Sequence, residues 1–224
     1  MDTPEFVSTS TVQLVDFMGG DLAVVNSARV SFAAEHQKTL EEKDVGLIGF
    51  LMRNKHGTPF ESTVFTFRIE CPIFVAREWF RHRIGSFNEM SGRYKKLPPR
   101  FFLPEVCRSQ VGKPGAYTFQ DHPESTFTLH QHLVKSYKFA WAAYEEMLDN
   151  GVAKEQARLV LPVGIMTQFY WTVNARSLMN FLALRLSEHA MQEIRECALE
   201  VWSAFGNVMP HTCHAFTEGE MTPP

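Results

Sequence analysis

The alternation of apolar and polar side chains in STVFTFRIE, residues 62–70, is the strongest constraint on the fold. Phe65, Phe67 and Ile69 fall on one face, and this two-residue period is typical of a half-buried strand. A proline follows the stretch, and proline suits the first turn of a helix because its missing N–H would have no partner there. The pattern predicts a strand over 63–70 and then a helix over about 73–84.

Other segments have the composition or the spacing of strands and helices. Apolar and β-branched residues predict a strand over 11–17, followed by a helix with Asp21 as its N-cap. Asp44 is the expected N-cap of a second helix. The longest helical pattern, 174–207, ends near a glycine and predicts one scaffold helix. Residues 97–124 are rich in proline and glycine, which predicts an irregular connection or lid.

Length and charge suit a globular enzyme and exclude other classes of protein. At 224 residues and 45% hydrophobic content, the chain is long enough for one substantial core or at most two small domains. The net charge of -3 argues against nucleic-acid binding, which normally needs a basic face. No apolar run reaches the roughly 18 residues that cross a bilayer, and the amino end lacks the pattern of a secretion signal. The sequence therefore predicts a cytoplasmic protein without nucleic-acid or membrane partners.

The cysteines and histidines predict neither disulfides nor a metal site. The four cysteines are far apart in the sequence and form no CxxC pair, so free thiols are expected. Two segments combine residue types that bind metals, but neither has the spacing of a tetrahedral zinc site. One contains His122, His130 and His132, and the other contains His211, Cys213 and His214.

Residues 81–93, RHRIGSFNEMSGR, concentrate cationic side chains among small polar residues. Arg81, Arg83 and Arg93 suit a clamp for a phosphate group, because the planar guanidinium forms paired hydrogen bonds. The alternative is a solvated helix end whose cations complement the helix dipole. Spacing alone leaves both readings open. The serines and asparagine beside the cations predict that 86–92 is a loop with backbone N–H groups facing a ligand.

The helix predicted over 174–207 carries polar residues in two directions. Arg176 and Asn180 are four residues apart and share a side, whereas Arg185 is nine residues from Arg176 and points to nearly the opposite side. Either one of these faces is solvated, or two ligand pockets meet the helix, as happens at subunit interfaces.

The chain resembles the flavin-dependent thymidylate synthase family in several separate blocks. Arg81, His82 and Arg83, followed after seven residues by Ser91, match the RHRx7S signature. Further blocks resemble the family in order and spacing: HGTPFES (56–62), FVAREWFRHR (74–83), ARLVLP (157–162) and WTVNARSLMNFLALR (171–185). The resemblance covers roughly half of the chain.

This resemblance implies an α+β fold in which an antiparallel or mixed sheet packs with long helices, as a single domain over residues 1–224. It implies a homotetramer whose active sites are shared between subunits. The implied reaction is the reductive methylation of dUMP to dTMP, with methylene-tetrahydrofolate as carbon donor and NADPH as reductant. FAD is the implied cofactor that carries the hydride, and dUMP, folate and further copies of the chain are the implied partners.

The resemblance also implies a set of site residues. The implied ligands of FAD are Thr58, Arg81, His82, Arg83, Glu89, Asn174, Ala175, Arg176 and Asn180. The implied ligands of dUMP are Glu78, Trp79, Phe80, Arg81, Glu89, Met90, Ser91, Gly92, Arg93, Arg158 and Arg185. His56 is expected on the folate side. Glu78 departs from the glutamine found in many family members, and a carboxylate there would repel a phosphate.

The chemistry of the implied reaction favours Arg185 as the catalytic residue. Methylation needs the uracil ring carbon to act as a nucleophile, and a fixed guanidinium stabilises the negative charge that then develops on the ring oxygens. Ser91 would need a base such as His82 within hydrogen-bond reach to be a nucleophile, so a ligand role is favoured. The alternative to an enzyme is a catalytically silent regulatory protein that binds nucleotide and flavin.

Overall fold

The computed structural model describes residues 2–33, 35–113 and 116–224, which form helices and strands in alternation. The strands are β1 (Glu5–Val7), β2 (Thr11–Met18), β3 (Val64–Pro72), β4 (Ser86–Glu89), β5 (Arg100–Phe102), β6 (Arg108–Lys113), β7 (Ala116–Asp121) and β8 (Met166–Asn174). The α-helices are α1 (Asp21–Arg29), α2 (Glu42–Arg53), α3 (Ile73–Trp79), α4 (Thr126–Asp149), α5 (Lys154–Ala157), α6 (Ala175–Arg185), α7 (Gln192–Val208) and α8 (Pro210–Glu218).

The strands of the described residues form one larger sheet and two pairs. The larger sheet has the order β2-β3-β8-β4, in which β2 runs antiparallel to β3 and β4 runs antiparallel to β8. Strands β1 and β5 pair in parallel, and β6 and β7 form an antiparallel pair. The predicted α+β class with antiparallel and mixed pairing is therefore confirmed.

The contacts within the chain define two compact units. The first contains residues 2–9, 71–74 and the described part of 90–167, and the second contains the described part of 10–70 together with 75–89 and 168–224. A single domain over the whole chain remains a prediction.

The core of the second unit is built from large aromatic side chains. Phe65, Phe67 and Ile69 of β3 are fully buried, which confirms the strand predicted from their alternation. Trp79 lies against Phe181 of α6, with their ring centroids 4.8 Å apart. Each buried aromatic side chain removes roughly 150–250 Å² of surface area from contact with water. Burial of side chains of this size is therefore the main source of stability for such a unit.

The first unit has its own core around the long helix α4. Tyr137, Trp141 and Tyr144 are spaced along one face of that helix and are buried with Phe101 and Ile165. The hydroxyl of Tyr137 donates a hydrogen bond to the backbone carbonyl oxygen of Phe102 at 3.1 Å, so the buried polar atom of this ring is satisfied.

Two predictions around the cationic segment are wrong. The helix predicted over about 73–84 ends at Trp79, and the chain continues through two tight turns. The predicted loop over 86–92 begins with a strand, β4. Four residues are too few to show a period in the sequence, and this strand exists because its backbone pairs with β8, for example Phe87 with Trp171.

Two longer segments also differ from prediction. The single helix expected over 174–207 is divided into α6 and α7, and residues 186–191 connect them. The irregular connection expected over 97–124 contains β5, β6 and β7, while 114 and 115 lie outside the described residues. Pairing between β6 and β7 supplies the order that the composition did not reveal. A lid function for this segment stays a prediction.

The two aspartates expected as N-caps occupy other positions. Asp21 is the first residue of α1, and its carboxylate instead accepts from the N–H groups of His211 (2.9 Å) and Thr212 (3.0 Å) at the start of α8. Asp44 is the third residue of α2, where it forms a capping box with Glu41. Both carboxylates thus satisfy helix N–H groups that lack partners within the helix.

The structure also bears on the cysteines and on membrane insertion. All four cysteines are among the described residues, and none forms a disulfide, as predicted. In the described part of the chain, no helix has the length and apolar character needed to cross a bilayer. No cluster of three or more metal-binding side chains is found within those same residues.

Candidate active site

A cavity of about 810 Å³ lies within the second unit. Six of the residues predicted to bind FAD line it, together with Arg185 from the predicted nucleotide set. The full lining is Glu61, Arg81, His82, Arg83, Ile84, Asn174, Arg176, Ser177, Asn180, Leu184, Arg185, Pro223 and Pro224. Residues far apart in the sequence are therefore brought to one concave surface of a size typical for small-molecule sites.

The junction between β8 and α6 positions one side of the cavity. Asn174 is the N-cap of α6, and its side-chain oxygen accepts from the N–H of Ser177 at 2.8 Å. Arg176 and Asn180 follow on one helix face, as their four-residue spacing predicted. Arg185 was expected on nearly the opposite side, yet it also lines the cavity because hydrogen bonds direct its long side chain toward His82.

The guanidinium of Arg185 is held at three of its nitrogen atoms. Its Nε donates to Nε2 of His82 at 2.9 Å, its Nη1 donates to Oε2 of Glu78 at 2.9 Å, and its Nη2 donates to the backbone oxygen of Glu78 at 3.1 Å. The side chain of Arg185 is only 17% exposed. A guanidinium fixed in this way is preorganised to stabilise a developing negative charge.

His82 is held in its neutral form beside Arg185. Burial and then the positive charge of Arg185 lower the pKa of His82 from 6.5 to about 4. Because the Nε–H of arginine can only donate, Nε2 of His82 must be the acceptor, and the proton of the neutral ring lies on Nδ1. His82 therefore orients Arg185 without adding a second charge near neutral pH.

The lowered pKa of His82 predicts a pH dependence of stability. Between about pH 6.5 and 4 the unfolded chain protonates this histidine and the folded chain does not, so the free energy of unfolding falls as pH falls. His82→Gln should make that fall shallower in urea titrations performed across this pH range. His132→Gln, at an exposed position in α4, is the control and should keep the wild-type slope. Identical slopes for His82→Gln and the wild type would contradict the assignment.

Arg176 is fixed at another part of the same cavity. Its Nη1 donates to Oε1 of Glu61 at 2.7 Å, and its Nε donates to the backbone oxygen of Pro224 at 3.1 Å. Its side chain runs directly over Gly57, where any added Cβ would overlap it. The glycine of the HGTPFES block is thus needed for close approach, a role that the block alone did not reveal.

The charge of the cavity lining is positive. Arg81, Arg83, Arg176 and Arg185 supply four cations, whereas Glu61 is the one acidic side chain among the described residues that line the cavity. Arg81 and Arg83 are exposed, and neither has an ion-pair partner among the described residues. Such a surface favours a ligand with phosphate groups, because each guanidinium can form paired hydrogen bonds with phosphate oxygens.

Four residues of the second unit that were predicted to contact flavin or folate lie outside the cavity lining. Thr58 is exposed and begins the short 3-10 turn that carries Glu61, while Ala175 is buried at the start of α6. Glu89 ends β4. The ring of His56 is exposed and stacks on Phe50, with centroids 5.9 Å apart. Their predicted roles toward flavin and folate stay predictions.

Two aromatic residues predicted to contact the nucleotide belong to the core of the second unit. Trp79 is fully buried, and Phe80 lies edge-on to Phe87 and Phe169 at centroid distances of 4.9 and 5.0 Å. Trp79 is thus enclosed by protein atoms in this conformation, and its predicted contact with the nucleotide stays a prediction.

The remaining predicted nucleotide ligands lie in the first unit, after β4. Ser91 accepts a hydrogen bond at Oγ from the N–H of Arg93 (3.3 Å), and Arg93 pairs with Glu155 at 3.2 Å. Gly92 is buried against the side chain of Arg158, where an added Cβ would come 3.3 Å from its Cδ. Met90 precedes this turn. Within the described part of the first unit, Ser91 Oγ has no hydrogen bond to a base.

Several residues of the cavity were not predicted from the sequence. They are Glu61, Ile84, Ser177, Leu184, Pro223 and Pro224. Glu61 lies in the HGTPFES block, and Ser177 and Leu184 share the helix face of Asn180, so the motif and the helical period carried a signal for these three. Ile84 and the two prolines had no comparable signal.

Comparisons with known proteins find relatives that match nearly the whole chain. The model of the Thy1 family, "Thymidylate synthase complementing protein", matches residues 13–211. The flavin-dependent thymidylate synthase of Thermotoga neapolitana is 48% identical over 205 residues, covering 92% of this chain and 89% of the relative. That of Tropheryma whipplei strain TW08/27 is 42% identical over 234 residues, covering 98% of each chain. The structure of the UMP/dUMP methylase PolB from Streptomyces cacaoi, bound with 5-Br dUMP, has a TM-score of 0.93 at 39% identity and covers 98% of this chain and 100% of its own.

Proposed function

Because the chain belongs to the Thy1 family of thymidylate synthase complementing proteins, we propose that it is a flavin-dependent thymidylate synthase. It methylates dUMP to dTMP, with methylene-tetrahydrofolate as carbon donor and with NADPH as the reductant of FAD. The observation that carries this proposal is the cationic cavity that contains a fixed arginine, Arg185, in a chain whose relatives have this activity. We also propose that the enzyme works in the cytoplasm, where these substrates are found.

The cavity residues fit FAD in volume and in charge. A cavity of about 810 Å³ accommodates a cofactor, and Arg81, Arg83 and Arg176 offer guanidinium groups for a pyrophosphate. The amides of Asn174 and Asn180 offer donors and acceptors for ring edges. FAD, when bound, supplies the hydride that the methyl group requires. The further proposed FAD ligands are Thr58, His82, Glu89 and Ala175.

We assign the activation of the nucleotide to Arg185. Attack by the uracil ring carbon places negative charge on the ring oxygens, and a guanidinium fixed beside them lowers the energy of that transition state. Arginine stays protonated in proteins, so this role is electrostatic and does not require proton transfer. The other proposed ligands of dUMP are Trp79, Phe80, Arg81, Glu89, Met90, Ser91, Gly92, Arg93 and Arg158.

We propose that the enzyme is a homotetramer whose active sites are shared between subunits, with His56 on the folate side. Support comes from apolar side chains on the surface of the isolated chain. On β2, Val15, Phe17 and Met18 are 46%, 50% and 63% exposed. β2 is an edge of its sheet, and exposed apolar edges are normally covered in a finished assembly. Light scattering of the purified protein tests the mass, and four chain masses are expected.

Absorption spectroscopy coupled with product analysis tests the function. Protein reconstituted with FAD should show the flavin absorption, lose it with NADPH under anaerobic conditions, and form dTMP when dUMP and methylene-tetrahydrofolate are added. UMP should be assayed beside dUMP, because the similar PolB structure is titled a UMP/dUMP methylase. Failure to bind FAD would overturn the proposal. Binding of FAD and dUMP without any product would instead favour the silent regulatory protein.

Replacement of Ser91 by alanine tests whether this residue is a ligand or a nucleophile. Ser91→Ala removes one hydrogen-bonding group, so KM for dUMP should rise about 3- to 10-fold while kcat falls less than about 10-fold. Steady-state assays of dTMP formation measure both constants. Ser203→Ala, at an exposed position of α7, is the control. Complete loss of turnover in Ser91→Ala with intact dUMP binding would instead support a role for Ser91 as the nucleophile.

A further inference from the structure

Glu78 accepts two hydrogen bonds from the guanidinium of Arg185. Its side-chain Oε2 accepts from Nη1 of Arg185 at 2.9 Å, and its backbone oxygen accepts from Nη2 at 3.1 Å. We propose that Glu78 is a positioning residue that fixes Arg185 for the methylation of dUMP, and that its side chain is not a ligand of the nucleotide. This inference rests on the proposed function and assigns Glu78 a different task from the one that the sequence resemblance implied.

The hydrogen-bond inventory of Arg185 supports this task. A guanidinium has five N–H groups in one plane, and Glu78 and His82 engage three of them. Among the described residues, the other two have no hydrogen-bond partner. One free N–H group remains on each of the two terminal nitrogens, and these two groups can donate hydrogen bonds to the ring oxygens or the imide of a ligand. Glu78 and His82 thus set the plane and direction of the two N–H groups left for a ligand.

The local structure explains why Glu78 is placed to do this. It is the penultimate residue of α3, and its neighbour Trp79 is fully buried, which anchors this end of the helix. Carbonyl groups in the last turn of a helix lack helical partners and favour a cation nearby. The backbone oxygen of Glu78 therefore accepts from Arg185 irrespective of its side chain, and the carboxylate adds the second, charged contact.

The negative charge of Glu78 also favours a positioning role over a role in binding the nucleotide. A carboxylate repels a phosphate, whereas this one is already paired with the guanidinium of Arg185. The side chain of Glu78 is 45% exposed, and an ion pair with an exposed partner contributes little to folding. Its removal should therefore affect turnover more than stability, and that makes the role testable in a folded enzyme.

Truncation and isosteric replacement of Glu78 should have different effects. In the FAD-loaded enzyme, Glu78→Ala should lower kcat about 10- to 100-fold and change KM for dUMP less than about 3-fold, since a hydrogen bond to a charged group is lost. Glu78→Gln keeps an oxygen that accepts the same bond and should retain kcat within about 3-fold. Glu218→Ala, which removes a carboxylate that pairs with His214 on α8, is the control and should match the wild type.

A spectroscopic measurement tests, independently of activity, whether Glu78 fixes the guanidinium of Arg185. In protein labelled with 15N-arginine, the Nε–H signal of Arg185, identified by its loss in Arg185→Lys, should be sharp in the wild type and in Glu78→Gln. In Glu78→Ala it should merge with the signals of exposed arginines. Circular dichroism checks that each variant is folded, and Glu78→Ser is a second truncation with the same expectations should Glu78→Ala fail to fold.

Three results would overturn the role of Glu78. They are a wild-type kcat in a folded Glu78→Ala, a rise of KM for dUMP above about 10-fold with unchanged kcat in both variants, and an equal loss of kcat in Glu78→Gln and Glu78→Ala. The second result would make Glu78 a nucleotide ligand, and the third would show that Glu78 acts through its negative charge and not by accepting a hydrogen bond that positions Arg185. If the wild type itself forms no dTMP, the proposed function fails, whereas the arginine signal still decides whether Glu78 holds Arg185.

Discussion

Arg185→Ala is expected to lower kcat for dTMP formation by about 100- to 1,000-fold, the typical effect of removing a preorganised group that stabilises a transition-state charge. Arg185 already donates three hydrogen bonds to His82 and Glu78, so its guanidinium needs little reorganisation when the uracil ring becomes negatively charged. FAD binding should change little, because Arg81, Arg83 and Arg176 remain. Single-turnover assays with dUMP, together with the flavin absorption spectrum, measure both effects.

Two further variants make the Arg185 experiment specific. Arg185→Lys keeps the positive charge but lacks the planar set of donors, so it should recover only a small part of the lost rate. Arg195→Ala removes an arginine of α7 that does not line the cavity and should behave like the wild type. Unchanged turnover in Arg185→Ala would remove this residue from the mechanism, whatever its contacts.

Trp79→Ala is expected to lower the free energy of unfolding by about 3–5 kcal/mol, the usual cost of replacing a large buried aromatic side chain with alanine. Trp79 is fully buried, and its ring lies 4.8 Å from that of Phe181 and 5.4 Å from that of Trp171. The resulting void cannot be filled without moving these neighbours. Urea titrations at one fixed protein concentration measure the change, because assembly of subunits also contributes to apparent stability.

Trp79→Phe is the matched variant for this experiment. Phenylalanine keeps an aromatic ring, and the indole Nε1 of Trp79 has no hydrogen-bond partner among the described residues, so no hydrogen bond is lost. The free energy of unfolding should therefore fall clearly less than in Trp79→Ala, and KM for dUMP should stay within about twofold of the wild type. A large rise in KM for dUMP in Trp79→Phe would instead indicate that the Trp79 side chain contacts the nucleotide.

Local patterns in the sequence already predicted many residues of the candidate site. The alternation of Phe65, Phe67 and Ile69 determined a buried strand face, and the RHRx7S signature pointed to arginines that line the cavity. The four-residue spacing of Arg176 and Asn180 placed them on one helix face. These features depend on near neighbours in the chain, for which the repeat of a strand or a helix fixes the direction of each side chain.

Pairing between distant segments decided the features that the pattern did not predict. Strand β4 exists because β8 supplies partners for its backbone, and α6 and α7 are separate although no proline or glycine interrupts the pattern at residues 186–191. The aspartate expected to cap its own helix, Asp21, satisfies N–H groups of α8 instead. Hydrogen bonds of this kind depend on which elements meet in space, and sequence spacing does not contain that information.

The sequence by itself thus determined the fold class, the family and most of the side chains that face the cavity. The tertiary structure alone decided how the main catalytic candidate is held. Helical spacing directed Arg185 away from Arg176, but hydrogen bonds to Glu78 and His82, more than 100 positions earlier in the chain, bring its guanidinium into the same cavity. The physical reason is that a helix repeat fixes where a side chain leaves the backbone, while partners from other elements fix where a long and flexible side chain ends.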